Sequence, residues 1–260
     1  MNGRRIKSAL ALACVLAGAC KKAETGGNPP AGATPPPAAV TAFPVPGDQQ
    51  ATINGRVAFT GAKPAPHRID MAEEATCAAK HKDGAWTEDV VVNDNGTLKN
   101  VFVYVESGLP ANLQFPVPTD AVELNQDGCM YVPHVIGVQV GQTVNIKNSD
   151  GVLHNIKATP TVNHPFNISQ PTNMTTPRNF TAAETMIPLQ CNVHSWMSGA
   201  AGVLTHPYFG VTGADGTFSL KRLPPGTYVI KAWQGHYQAQ TQTVTVGAKE
   251  SKDIVFTFHG

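Results

Sequence analysis

The chain has 260 residues, of which 42% are hydrophobic, so it can form one large domain or two ordinary domains with a substantial core. Charged residues make up only 14%, and the formal net charge is +1. This balance argues against a nucleic-acid-binding protein and against a polybasic membrane surface. The 24 glycines and 21 prolines favour many short strands and turns over long helices.

Residues 1–20 are typical of an export signal. Arg4, Arg5 and Lys7 provide a positive start, and residues 8–19 form an apolar stretch too short to span a bilayer. The sequence Leu-Ala-Gly-Ala-Cys that ends at Cys20 resembles a bacterial lipobox, in which Cys20 would be lipidated and would anchor the protein to a membrane. An ordinary cleaved secretory signal is the alternative. Both predict a protein of the periplasm or cell envelope, an oxidising space.

The residues after the signal change character at about residue 51. Residues 21–50 are rich in Ala, Gly, Thr and Pro and predict a semi-extended tether. Residues 52–59 alternate as a strand does, residues 61–66 predict a turn, and residues 71–82 predict a short helix.

The middle of the chain predicts more strands. Two of them, 90–92 and 98–105, flank a hairpin-like turn at 93–96, and residues 110–118 predict a loop. Residues 135–140 and 143–147 predict two strands joined by a two-residue turn, Gly141–Gln142. Residues 158–184 are polar and contain four prolines, so we expect a loop with one short strand at 178–181.

The last third of the chain also predicts short strands separated by turns. A strand at 186–190 should deliver Cys191, and the next strand is expected at 202–205. Further strands are predicted at the following positions: 217–220, 227–233, 241–246 and 253–258. Short strands with turn signals at this spacing predict an all-β sandwich architecture.

The cysteines carry information because the protein is expected in an oxidising space. Cys14 and Cys20 belong to the signal, which leaves Cys77, Cys129 and Cys191, an odd number. Cys191 has neighbours that suit a metal site, so we pair Cys77 with Cys129 in a disulfide. The alternative is that Cys191 is disulfide-bonded and one of the other two is free.

The strongest functional signal is the run from Cys191 to Met197. It offers a thiol, the imidazole of His194 and a thioether within seven residues. Thiolate and thioether are soft ligands that suit copper, and imidazole suits the same ion. Two His, one Cys and a weak axial Met make a blue-copper site, whose task is electron transfer. His154, upstream, is the candidate for the fourth ligand.

The spacing Cys-x2-His-x2-Met resembles the amicyanin-type ligand loop of cupredoxins. Upstream, two strands around a glycine turn, then Asn148, Asp150 and His154, are similar to the same family over about residues 88–205. The resemblance implies a Greek-key β-sandwich with one type 1 copper held by two His, one Cys and an axial Met: His154, Cys191, His194 and Met197. It implies that Asn155 bridges the two ligand loops, with Asn148 as a weaker candidate for such a supporting role.

By the same resemblance, His194 would present its ring edge at the surface and serve as the electron port. A redox partner protein would dock near His194, with Val193 and Trp196 in an apolar patch; plain packing is the alternative role of Trp196. We therefore expect an electron carrier and not an enzyme, since a multicopper oxidase needs His-x-His pairs that the sequence lacks. A copper chaperone or storage protein without electron transfer is the alternative.

The C-terminal residues resemble a second family. Asp215-Gly216-Thr217-Phe218 and the sequence from Leu223 to Tyr228 are similar to the carboxypeptidase regulatory-like domain, a small prealbumin-like β-sandwich that is usually not catalytic. Residues 55–64 look like the first strand of that family. The copper domain is therefore either inserted in this domain or placed before it. The expected division is this: signal 1–20, linker 21–50, an N-terminal strand and short helix 51–87 that could belong to the regulatory-like sandwich, cupredoxin domain 88–205 and regulatory-like domain 206–260.

Overall fold

The structure is a computed structural model that describes residues 45–260. The predicted export signal with Cys20, and the predicted linker before residue 45, lie outside the described residues. The prediction of an all-β protein is confirmed, because the described residues form twenty strands and one six-residue helix. Among them, no helix has the length and apolar character needed to cross a membrane.

The helix, α1, covers Ala75–Lys80. The strands, in chain order, are β1 Ala51–Thr60, β2 Arg68–Ile69, β3 Ala85–Trp86, β4 Val91–Val92, β5 Leu98–Lys99, β6 Phe102–Ser107, β7 Val122–Asp127, β8 Met130–Val132, β9 Val135–Gln139, β10 Val144–Asn148, β11 His154–Ala158, β12 Phe166–Gln170, β13 Met174–Arg178, β14 Glu184–Gln190, β15 Ser198–Leu204, β16 Phe209–Val211, β17 Thr217–Leu223, β18 Gly226–Gln234, β19 Tyr237–Val246 and β20 Ser251–His259.

The middle of the chain forms a first sandwich, which we call the metal sandwich. One of its sheets has the strand order β13-β10-β7-β8, and the other has the order β12-β11-β14-β15-β9. Alternating side chains of both sheets, such as Ile146 on β10 and Ile187 on β14, are buried in one apolar cluster. This alternation is what buries one face of each sheet.

The first and the last strands of the described residues meet in a second sandwich. Its sheets have the orders β17-β1-β20 and β16-β6-β18-β19. Strand β1 pairs antiparallel with β17 and parallel with β20. The first described strand therefore lies in one sheet with strands from the C-terminal end. Strand β6 pairs with β16 and β18 in the same sandwich. The residues between β6 and β16 are thus inserted, which favours the nested order; the domain boundaries themselves stay a prediction.

Strand β6 is buried on both faces, because it lies between the two sandwiches. Val103 and Val105 face the core of the second sandwich, while Phe102 and Tyr104 face a third cluster shared with β9 and β15. A strand buried on both faces has a continuous apolar sequence instead of an alternating one.

Three local predictions are wrong. Strands β9 and β10 do not form a hairpin, since β9 pairs with β15 and β10 with β7 and β13. Residues 158–184 contain two five-residue strands, β12 and β13, instead of one at 178–181. The helix begins at Ala75, later than predicted, after a Glu74 N-cap whose carboxylate accepts from the N–H of Thr76.

Helix α1 belongs to the connection between β1 and β4. Strands β2 and β3 pair with each other on either side of it. A disulfide joins Cys77 of this helix to Cys129 between β7 and β8, while Cys191 is the free cysteine of the described residues. The disulfide attaches a segment of the N-terminal part to the metal sandwich.

Candidate metal centre

His154 is the first residue of β11, and its imidazole is fully buried. Its Nε2 lies 2.7 Å from Oδ2 of Asp150, and its Nδ1 lies 2.9 Å from Nδ1 of His194. A carboxylate on one ring nitrogen fixes the tautomer and leaves the other nitrogen for a metal, here Nδ1. Burial alone would lower the pKa of His154, but the hydrogen bonds to Asp150 and Cys191 outweigh burial and raise it.

The carboxylate of Asp150 is itself buried and held by four donors. Oδ1 accepts from Lys80 Nζ at 2.5 Å and from the N–H of Gly128 at 2.8 Å. Oδ2 accepts from the N–H of Cys129 at 2.8 Å and contacts His154. Burial would raise the pKa of Asp150, but the His154 and Lys80 hydrogen bonds lower it well below its usual range. Sequence reasoning missed this role; the available signal was a carboxylate four residues before a candidate ligand.

Asn148 shapes the loop between β10 and β11. Its Oδ1 accepts from the N–H of Asp150 at 3.0 Å, and its Nδ2 donates to the carbonyls of Val152 at 2.8 Å and Gln170 at 2.9 Å. Through these bonds Asn148 positions the loop that carries both Asp150 and His154.

The loop after β14 is closed by its own backbone. The N–H of Cys191 donates to the carbonyl of Met197, and the N–H of Met197 donates to the carbonyl of His194, both at 3.0 Å. The Cys191 sulfur accepts from the N–H groups of Val193 and His194, each at 3.4 Å. Burial alone would raise the pKa of the Cys191 thiol. Hydrogen bonds from the His154 ring and from backbone N–H groups outweigh burial and lower the pKa, so the thiolate is favoured.

Asn155 lies between the two ligand-bearing segments. Its Oδ1 accepts from the N–H of Asn192 at 2.7 Å, and its Nδ2 donates to Oδ1 of Asn167. The side chain therefore ties β11, which carries His154, to the loop that carries Cys191.

The structure brings three of the four predicted ligands together. The ligand atoms of His154, Cys191 and His194 all lie within 4.8 Å of one another, and all three residues are buried. Met197 is 1% exposed and belongs to the same apolar cluster as Cys191. Two imidazole nitrogens, one thiolate and a neighbouring thioether fit a soft ion such as copper. Cys129 also lies near Asp150 and His154, but its sulfur is in the disulfide and offers no thiolate.

The structure corrects the expectation that His194 presents its ring edge at the surface. The residue is only 4% exposed. Its Nε2 lies 3.9 Å from Oε2 of Glu74 and 4.0 Å from the sulfur of Cys77, both contributed by the α1 segment. Burial and the neighbouring His154 lower the pKa of His194. The sequence could not reveal this cover, because Glu74 and Cys77 lie more than a hundred residues upstream.

Trp196 lies beside the covered imidazole. Its ring centroid is 5.1 Å from that of His194, and its indole N–H donates to the carbonyl of Cys129 at 3.1 Å. It is half-buried, so it packs against the site and also reaches the surface. Val193 is 46% exposed.

No curated protein matches the chain. Similar solved structures include a Cu-containing nitrite reductase (NirK) from Thermus scotoductus SA-01, with 22% identity over 36% of this chain and 23% of the reductase, at a TM-score of 0.31. The chain thus spans less than a quarter of that protein.

Two further similar structures are matched over almost their whole length, which is less than half of this chain. A methionine-to-alanine mutant of amicyanin in its Cu(I) form has 20% identity over 39% of this chain and 97% of amicyanin, with a TM-score of 0.29. A purple cupredoxin from Nitrosopumilus maritimus has 22% identity over 32% of this chain and 98% of its own, with a TM-score of 0.28. At the C-terminal end, residues 201–259 match the family model of the carboxypeptidase regulatory-like domain, which confirms that resemblance.

Proposed function

We propose that this chain is a type 1 copper protein that carries single electrons and is not an enzyme. His154, Cys191 and His194 would hold the metal, with the thioether of Met197 as a weaker fourth ligand. Bound copper would supply a one-electron Cu(I)/Cu(II) couple. The observation that supports the proposal best is the convergence of two imidazoles and one free, buried thiol within 4.8 Å.

The chain's own residues would keep this ligand set rigid. The Asp150 carboxylate holds the His154 ring, the loop backbone holds the Cys191 sulfur, and Asn155 ties the two segments together. A site whose supporting groups are already in place changes little when its charge changes. Such rigidity suits one-electron transfer.

We further propose that the protein is exported and anchored to the cell envelope through a lipid on Cys20. The Cys77–Cys129 disulfide supports an oxidising compartment. A redox partner protein would dock near the His194 loop. Since the imidazole is covered, the partner would meet the exposed side chain of Val193 rather than the ring edge.

The cover over His194 also favours a second candidate, a copper storage protein without electron transfer. A sealed metal site retains its ion well and exposes no ligand to a partner. The two functions differ in whether the bound metal can be cycled between its oxidation states by reagents in solution.

The experiment is a visible absorption spectrum of the copper(II)-loaded protein. The carrier should show an intense thiolate-to-copper band that disappears on reduction with ascorbate and returns with ferricyanide. Cys191→Ser should abolish the band, while Ser195→Ala, an exposed change in the same loop, should keep it. A colourless one-to-one complex would contradict the carrier and favour storage.

A further inference from the structure

Residues 74–81, which we call the lid, cover the candidate metal centre. They belong to neither of the two segments that carry the candidate ligands. Glu74 and Cys77 lie within 4.0 Å of Nε2 of His194. The other ring nitrogen of His194, Nδ1, faces His154. The lid therefore covers the edge of the imidazole that would otherwise be the route to the site.

One disulfide and two polar contacts hold the lid, and their partners are neighbouring residues of the metal sandwich. Cys77 is disulfide-bonded to Cys129. Lys80 Nζ contacts the Asp150 carboxylate at 2.5 Å, and His81 Nε2 contacts the carbonyl of Gly128 at 2.6 Å. These partners are in contact with one another, because Asp150 accepts the N–H groups of Gly128 and Cys129.

The lid needs these contacts, since a helix of six residues has little stability of its own. Glu74 and Lys80 are each about one-third exposed on their side chains, so the lid is in contact with solvent on its outer side. The disulfide is the strongest of the three. Cutting it should allow the segment to open without unfolding the sheets below.

We propose that residues 74–81 are a lid on the metal centre that the Cys77–Cys129 disulfide holds shut. Access to the imidazole of His194, and hence exchange of a metal bound there, then depends on the oxidation state of this disulfide. The role in metal exchange rests on the proposed function, but the accessibility of His194 does not.

The chemical step is a thiol–disulfide exchange. A dithiol reductant supplies two electrons and two protons; Cys77 and Cys129 become two thiols, and the dithiol ends as a disulfide. Both cysteines are fully buried, so the exchange has to follow a transient opening of the lid. Reoxidation by a disulfide of a partner reverses the step and closes the lid.

The test uses the full-length, metal-free protein and diethyl pyrocarbonate, which modifies accessible imidazoles. Modification is measured at each histidine by peptide mass spectrometry. In the wild type, His194 should react slowly and the exposed His164 quickly. In Cys77→Ser/Cys129→Ser, His194 should react at least about tenfold faster, because the opening equilibrium is shifted, while His164 should not change.

Two controls separate lid opening from unfolding. Lys231→Met removes the ion pair with Glu106, away from the lid, and should leave His194 slow. Amide hydrogen exchange of the double variant should increase in residues 70–87 and stay protected in β11 and β14. Equal reaction of His194 in the wild type and the double variant would refute the lid. Faster reaction only together with lost protection in β11 and β14 would refute it as well.

A second measurement addresses the metal. In copper-loaded protein, the double variant should lose copper to EDTA faster than the wild type. Unchanged release from a loaded protein would refute the role in metal exchange. If the protein binds no copper but His194 still becomes reactive in the double variant, the proposed function fails and the lid stands.

Discussion

At the scale of single residues, Asp150 is the group that connects most of the candidate site. Its buried carboxylate contacts the His154 ring and also accepts from Lys80 and two backbone N–H groups. A buried carboxylate with this many donors is stabilised as an anion, and removal of its charge leaves several partners unsatisfied.

We predict that Asp150→Asn lowers the free energy of unfolding of the metal-free protein by about 2 kcal/mol. The matched control is Asp127→Asn, since Asp127 also contacts Lys80, at 3.5 Å, but is 58% exposed on its side chain. The control should cost less than about 0.5 kcal/mol. Urea unfolding measures both; equal effects would show that the buried contacts of Asp150 add nothing.

Glu184 gives a prediction about pH. Its carboxylate accepts the backbone N–H groups of Thr161, Val162 and Asn163. Burial would raise its pKa, but these hydrogen bonds outweigh burial and lower the pKa from 4.5 to about 2. Because the folded pKa lies below the unfolded value, the stabilisation is complete above about pH 4.5 and is lost as the pH falls toward 2.

Solvent screens this partly exposed group, so the stabilisation is smaller than the full pKa shift implies. The wild type should be more stable than Glu184→Gln by about 1 kcal/mol at pH 7, and the difference should vanish near pH 2. Glutamine has the size of the protonated carboxyl group, so it serves as the reference for the neutral state. Thermal unfolding of both proteins across this pH range measures the difference. A difference that does not depend on pH would contradict the assignment.

The sequence could predict the ligand candidates but not the groups around them. The sequence predicts Cys191, His194 and Met197 as ligand candidates because these three metal-binding side chains are close together in the chain. Glu74 and Cys77 reach His194 only through folding, and no local pattern links them to it. The ligand roles themselves stay predictions until a metal is bound.

At the scale of elements, two of the strands that the sequence missed are β12 and β13. Each is at the edge of its sheet, three of the five residues in each are polar, and Pro177 lies inside β13. Edge strands tolerate proline and need less apolar sequence, so the pattern used to recognise a strand is weak there. The interior strand β18 alternates between buried and more exposed residues along its length, and it was predicted.

Strand β14 is an irregular strand in the interior of a sheet. It lies between β11 and β15, yet it contains Pro188. The register shifts between Glu184 and Ile187, and Met186 has a φ of 63°. The strand is thus irregular, and it pairs with β11 over only two residues before it delivers Cys191.

The contact between the two sandwiches depends on small residues. A Cβ added to Gly202 of β15 would lie 2.5 Å from ring atoms of the buried Phe102. We predict that Gly202→Ala lowers the free energy of unfolding by about 2 kcal/mol, through overpacking.

The matched control is Gly210→Ala on β16, because a Cβ there meets nothing closer than 3.7 Å. Its effect on the free energy of unfolding, measured by urea, should be within about 0.5 kcal/mol. Similar losses in both variants would argue that strand glycines matter for reasons other than the Phe102 contact.

At the scale of the whole molecule, β6 joins the two sandwiches. Its Phe102 is fully buried in the cluster between them, while its neighbour Val103 is buried in the second sandwich. The sequence predicts a strand over this segment, but it does not predict that β6 pairs with β16 and β18. A sequence pattern shows which residues form strands and not which strands pair. The nested order is favoured only by the pairing of β1 and β6 with C-terminal strands.

We predict that Phe102→Ala costs about 4 kcal/mol of stability and affects both sandwiches. Amide hydrogen exchange should increase in β9 and β15 of the metal sandwich as well as in β16 and β18. Val103→Ala is the comparison, since it should affect mainly the second sandwich. An effect of Phe102→Ala on one sandwich alone would contradict the shared cluster.

The proposed function requires that His154, Cys191 and His194 bind one copper ion together. X-ray absorption spectroscopy of the copper-loaded protein tests it most directly. We expect one copper per chain with one sulfur and two imidazole nitrogens as its close ligands, and loss of the short sulfur contribution in Cys191→Ser. A copper ion with only nitrogen and oxygen ligands, or a spectrum that Cys191→Ser leaves unchanged, would contradict it.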